Sequence, residues 1–173
     1  MGICLKMAFL EQILQEWYTE SRKVVLMMKN ISIDVLNKVE ELQEWELLHK
    51  ALGSRLLTLE IDITAAMKAR NTSKLDEYNR MLTEGMKLSE KILAHIEDVP
   101  DSQADFIQVF PWEAQEITVQ QFALAGFLQE TRRLKAQFSQ SDTHKEYSEK
   151  LDRLALRLKA LYQKLTVRGK DTA

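Results

Sequence analysis

The chain has 173 residues, 45% of them apolar and 29% charged, with a formal net charge of −2. That length carries one ordinary core or two cooperating halves, while the scarcity of Gly (5) and Pro (2) argues against both the disordered and the turn-rich all-β classes. A single cysteine, Cys4, excludes an internal disulfide framework and a thiolate metal site within one chain, and it points to a reducing compartment.

From Met1 to Leu14 the apolar character is interrupted by Lys6 and Glu11. No run approaches the roughly 18 to 20 apolar residues of a bilayer span, so a soluble chain in the cytoplasm is expected. Gly2 with Cys4 hints at lipidation, but Lys6 stands where the myristoylation pattern wants Ser or Thr. Leu10, Ile13, Leu14, Trp17, Val24, Met28 and Ile31 recur at spacings of three and four, which predicts a first helix over residues 4–29. Asn30-Ile31-Ser32 supplies a break, with Ser32 suited to cap the next helix. Asn30 and Asn71 each open a glycosylation sequon, but both read better as helix-boundary residues.

Val35, Leu42, Trp45, His49, Leu52, Leu56, Leu59, Ile63 and Ala66 then keep heptad spacing straight through Gly53-Ser54. The phase predicts one helix over 33–70, roughly 57 Å long at 1.5 Å per residue, with a break at Gly53 as the competing reading. Asn71-Thr72-Ser73 ends it, and Ser73 with Asp76 is read as a weakened capping box for a third helix running to about residue 97.

Residues 98–116 differ from the rest. Both prolines, Pro100 and Pro111, lie there with five acidic residues and no Lys or Arg, and Phe106 to Trp112 concentrates apolar bulk. Ser102 and Asp105 suit the start of one short helical turn, and Pro111 suits a first helical position. The next helix is predicted over 111–140, with Leu124, Phe127, Leu128, Thr131, Leu134 and Phe138 on its seam. Thr143 and Glu146 form a capping box for the last helix, whose seam is Tyr147, Leu151, Leu154, Leu158, Leu161 and Leu165, with Gly169 as its stop.

The fold class that follows is all-α: an antiparallel bundle of about five long helices with one acidic, proline-containing connector. Residues 1–97 form an N-terminal part of three helices, or four if Gly53 breaks one; 98–116 is the connector, and 117–173 is a C-terminal hairpin. The stretch Leu42-Gln43-Glu44-Trp45 through His49, Arg55 and Leu59 resembles the third helix of a spectrin repeat, where Trp, Arg and Leu recur at similar spacing. The likeness is confined to those residues, and what it implies is a long, load-spanning helix.

Catalytic chemistry finds no motif. Di-iron bundles need Glu-x-x-His on two helices, and only Glu46-Leu47-Leu48-His49 fits, so His49 is read as a hydrogen-bonded core histidine. No phosphate-cradling glycine loop and no framed nucleophile is present, and no catalytic residue, cofactor, metal or small-molecule substrate is expected. Charge says more. The balance runs −2 over 1–97, −5 over the connector and +5 over 117–173. Lys150, Arg157 and Lys164 repeat every seven residues beside the leucine seam, with Arg153, Arg168, Arg132 and Arg133 near them. Such a column either meets an anionic partner, nucleic acid, anionic lipid or an acidic protein, or frames the seam, with Glu146 to Lys150 and Glu149 to Arg153 pairing at i,i+4 and the acidic connector as a further internal partner; the second reading is preferred. Phe106, Phe110 and Trp112 either dock a partner or close the end of the bundle, and closure is preferred. Leu156 and Val167 fall outside the seam. The function expected is that of a non-enzymatic interaction protein, an adaptor, scaffold subunit or chaperone-like binder, whose helix faces meet a protein partner or a second copy, with Trp17, Phe106, Phe110, Trp112 and Leu156 as candidate contacts.

Overall fold

The computed structural model describes residues 31–99, 105–139 and 145–172. They form six helices and no strand: α1 (Ile33–Asn37), α2 (Glu44–Lys68), α3 (Thr72–Asp98), α4 (Phe106–Val109), α5 (Ala114–Phe138) and α6 (Lys145–Thr172). Four of these are long. The predicted helix over 4–29, with Trp17, lies outside the described residues, as does Thr143.

Two helix pairs make the frame. Along α2 and α3, His49 meets Ser89 and Arg55 meets Met81; along α5 and α6, Gln121 meets Thr166 and Phe138 meets Tyr147. In both pairs residue numbers rise on one helix as they fall on the other, so each pair is antiparallel. The α5–α6 contact is the most extensive, followed by α2–α3, and α2 packs across α5 to join the pairs. One apolar core runs through all of them, from Leu36 and Leu48 to Ile92, Phe127, Leu134 and Leu158. Each leucine fully buried there contributes about 1.5 to 3 kcal/mol, far more than helix propensity supplies.

The long helix expected over 33–70 passes through Gly53 unbroken, but its first third is a separate element. Ser32 caps α1 by accepting from the Val35 N–H, as expected. The chain then turns through residues 38–43, and α2 starts afresh where Gln43 and Glu46 cap each other, the Gln43 N–H donating to Glu46 Oε2 at 2.8 Å. The Val39 carbonyl, in that turn, accepts from Arg157 of α6. Val39 and Leu42 are buried by that turn. The stretch resembling a spectrin repeat is thus helical only from Glu44 onward.

Between α2 and α3 the chain closes a Schellman turn: the Asn71 N–H donates to the Ala66 carbonyl and the Arg70 N–H to that of Met67, with Arg70 in the left-handed region at φ 52°. Asn71, not Ser73, caps α3, accepting from the Lys74 N–H. Two further boundaries differ from expectation. Pro111 precedes α5 rather than opening it, because Phe110 is extended, as a residue before proline prefers, and α5 begins with the reciprocal cap of Glu113 and Glu116. Gly169 does not stop α6, which runs to Thr172; its φ is not positive, and a Cβ there would stand 3.5 Å from Ile117, so the glycine is a packing position between α6 and α5.

Arg70 is the one described non-glycine residue with positive φ. Arg70→Gly is expected to raise the unfolding free energy by about 0.5 to 1 kcal/mol, relief of left-handed strain outweighing the added freedom of the unfolded chain. Urea denaturation measures it, and a lower midpoint at unchanged slope contradicts the assignment.

Candidate interaction surfaces

The leucine seam of α6 is buried at Leu151, Leu154, Leu158, Leu161 and Leu165. Lys150, Arg157 and Lys164 each precede one of these leucines, so they share one edge of the helix. That edge faces residues 37–44. Lys150 donates to Asn37 Oδ1 at 2.9 Å, Arg157 to the Val39 carbonyl, and Lys164 to Glu44 Oε2 at 2.7 Å. Arg153 lies 3.8 Å from Glu40. Among the described residues the column therefore frames the seam against the stretch from Asn37, the end of α1, to Glu44, the start of α2, while Glu116 of the acidic connector pairs with Lys91 of α3 at 2.8 Å. Lys150 also holds the exposed Glu146 carboxyl below its ordinary value through a hydrogen bond. On α5, Arg133 is hydrogen-bonded to Glu130, which holds its guanidinium above the usual range, and Arg132 is exposed. Arg168 is half-buried with its Nε unpartnered.

Glu44, which sequence periodicity does not single out, is where this edge meets the connector. Its carboxylate is buried, with Oε1 accepting from the Ile107 N–H at 3.0 Å and Oε2 from Lys164. Beyond it the aromatic stretch turns inward. Phe106, Phe110 and Trp112 are buried, with ring centroids 4.9 Å apart for the two phenylalanines and 4.5 Å for Phe110 and Trp112. The Trp112 indole donates to the Ile107 carbonyl at 3.0 Å, so its polar atom is satisfied in the core. Lys91 lies 5.1 Å over the Phe110 ring while bonding the Pro111 carbonyl and Glu116. These aromatics close the structure around α4. Of the candidate contacts read from sequence, Leu156 is solvent-exposed and Trp17 lies outside the described residues.

His49 is half-buried between α2 and α3, its Nε2 2.9 Å from Ser89 Oγ, a bond in which the tautomer decides the donor. Burial, with Lys50 adjacent, lowers its pKa. No group of three or more His, Cys, Asp or Glu side chains among the described residues is placed to share a metal ion. Nor is any described helix long and apolar enough to cross a membrane.

Among the described residues, most of the exposed large apolar side chains lie on helices. Leu156 (69% exposed) and Val167 (56%) stand on α6 opposite the seam, with Ala160 between them on the same line. Two recesses flank the bundle. A groove between α5 and α6 is bordered by Leu128, Arg132, Lys159 and Tyr162, and a cleft where α2, α3 and α5 meet is lined by leucines, Met81 and Phe122. The sequence carries a signal for the cleft: Gly85 falls on the buried line of α3 with Met81, Leu88 and Ile92, where a missing side chain marks close helix approach. No family model, curated protein or solved structure matches the chain.

The lowered pKa of His49 has a consequence for stability. Below its ordinary value of 6.5 the unfolded chain binds the proton that the folded chain resists, so the contribution of the neutral pair is full above that value and is lost as pH falls through the folded pKa. Between about pH 7.5 and about pH 5.5 the denaturation midpoint of the wild type should fall more than that of His49→Gln. Parallel profiles in the two proteins would rule the pair out as a pH-sensitive element.

Proposed function

We propose that the protein is a non-enzymatic helical interaction protein, an adaptor, scaffold subunit or chaperone-like binder of the cytoplasm, that binds a protein partner or a second copy through helix faces. The observation that carries this reading is the row of Leu156, Ala160 and Val167 on the solvent side of α6, at a spacing that keeps all three on one line while the leucine seam faces inward. An apolar row of this kind, rimmed by Lys159 and Gln163, fits a partner helix laid along it. Phe106, Phe110 and Trp112 pack inward and are not part of the surface proposed.

The alternative, an anion-binding module that uses the basic hairpin on nucleic acid or a membrane surface, has less behind it. Lys150, Arg157 and Lys164 each donate a hydrogen bond to residues 37–44, and Arg132 is an exposed cation of that set. A photoreactive benzoylphenylalanine at position 156 separates the two. The expected result is a protein adduct, self or foreign, that survives from about 50 to about 500 mM salt, is lost with Val167→Lys, and is absent from a control probe at exposed Lys145. A probe at 156 that gives no adduct above the Lys145 background overturns the reading; binding that collapses with salt transfers support to the anionic partner.

A further inference from the structure

The cleft between α2, α3 and α5 carries an inference that does not rest on the α6 face. Its walls are set by a close approach: a Cβ built on Gly85 of α3 would stand 2.7 Å from Leu56 Cδ2 of α2. The first turns of α5 form the third wall, and the open cleft so formed has a volume of about 250 Å³. Leu56, Leu59, Met81 and Val119 line the cleft, and Phe122, 64% exposed, stands at its mouth. A large aromatic ring left in water at the rim of an apolar recess covers more surface when the recess is filled.

The cleft also holds a cation whose donors are under-used. Arg55 is half-buried, and its hydrogen-bond partner among the described residues is the Met81 thioether, 3.8 Å from Nη2. A thioether is a weak acceptor, and a guanidinium presents five N–H groups. No described carboxylate lies within ion-pair distance of Arg55; Glu84, the acidic residue of the rim, is engaged by Gln115 at 2.8 Å and by Arg80 at 3.7 Å. Apolar walls beside a planar, solvent-reachable cation that no described carboxylate pairs match a ligand that is apolar over most of its length and ends in a carboxylate, which a guanidinium takes bidentately. The volume lies just under the roughly 300 to 1,000 Å³ of ordinary ligand pockets, so a short chain fits better than a nucleotide or a large cofactor.

We propose that the α2–α3–α5 cleft binds a small amphiphilic carboxylate, its aliphatic chain against Leu56, Leu59, Met81 and Val119 under the Phe122 ring and its carboxylate on Arg55. The probes are octanoate and the neutral 1-octanol, titrated into the whole chain with calorimetry and with the Met81 methyl resonance as a local reporter. Octanoate should shift that resonance and bind about tenfold more tightly than octanol. Arg55→Gln should remove the preference while leaving octanol binding unchanged, and Val119→Trp, which fills the cleft, should abolish both. If Val119→Trp fails to fold, Phe122→Ala serves in its place and should weaken both ligands by a similar factor. Equal affinity for octanoate and octanol, an Arg55→Gln variant that binds octanoate as the wild type does, no octanoate binding up to about 5 mM, or shifts that spare Met81 would each overturn the proposal. None of these results bears on the photo-crosslink at position 156.

Discussion

The fold turns on one buried carboxylate. Glu44 opens α2 and accepts from the Ile107 N–H of α4 and from the ammonium of Lys164 on α6. A carboxylate taken from water is tolerated only where its lone pairs are answered, and here a backbone amide and a lysine answer one oxygen each, at the end of the helix where the dipole favours negative charge. Three elements distant in sequence are thereby fixed to one point. The position of α4 follows from that point, and with it the inward course of Phe106, Phe110 and Trp112.

Polar contacts of this kind do not supply the bulk of the stability. A hydrogen bond made on folding contributes a net 0.5 to 1.5 kcal/mol or so, whereas each fully buried leucine contributes about twice that. The seams of α5 and α6 therefore decide that the helices associate. The donors of Lys150, Arg157 and Lys164 decide where residues 37–44 lie on the assembled pair, because an alternative placement would leave the Val39 carbonyl and the Glu44 carboxylate unanswered. Magnitude and specificity come from different residues of the same helix.

This division explains what could be read from the sequence. Burial of Leu151, Leu154, Leu158, Leu161 and Leu165 is a periodic property, and the periodicity of α6 announced it. The histidine was legible in part: His49 finds a hydrogen bond to Ser89 across the pair, as its place on the apolar line of α2 suggests, but it is half-buried and not a core residue. The break at residues 38–43 was not, because Val35 and Leu42 keep heptad phase across it; the turn exists only through Arg157 and through the cap of Gln43 with Glu46. Gly169 misled for the related reason that a glycine near a helix end suits either a left-handed cap or a close contact, and only the neighbouring Ile117 distinguishes them. Of the surfaces, Leu156 stood out as an apolar residue off the seam. The Arg55 cleft needs three helices to exist and left only Gly85 as its trace.

In α6 each column cation is the chain neighbour of a seam leucine: Lys150 with Leu151, Arg157 with Leu158, Lys164 with Leu165. One residue inserted between these stations would rotate everything beyond it by about 100°, swinging a core leucine and its adjoining cation out together. Only an insertion of whole heptads, matched on α5, would keep both rows in phase. The distance between the first and last of these stations is thus set by the seam itself and not by the chain on either side of it.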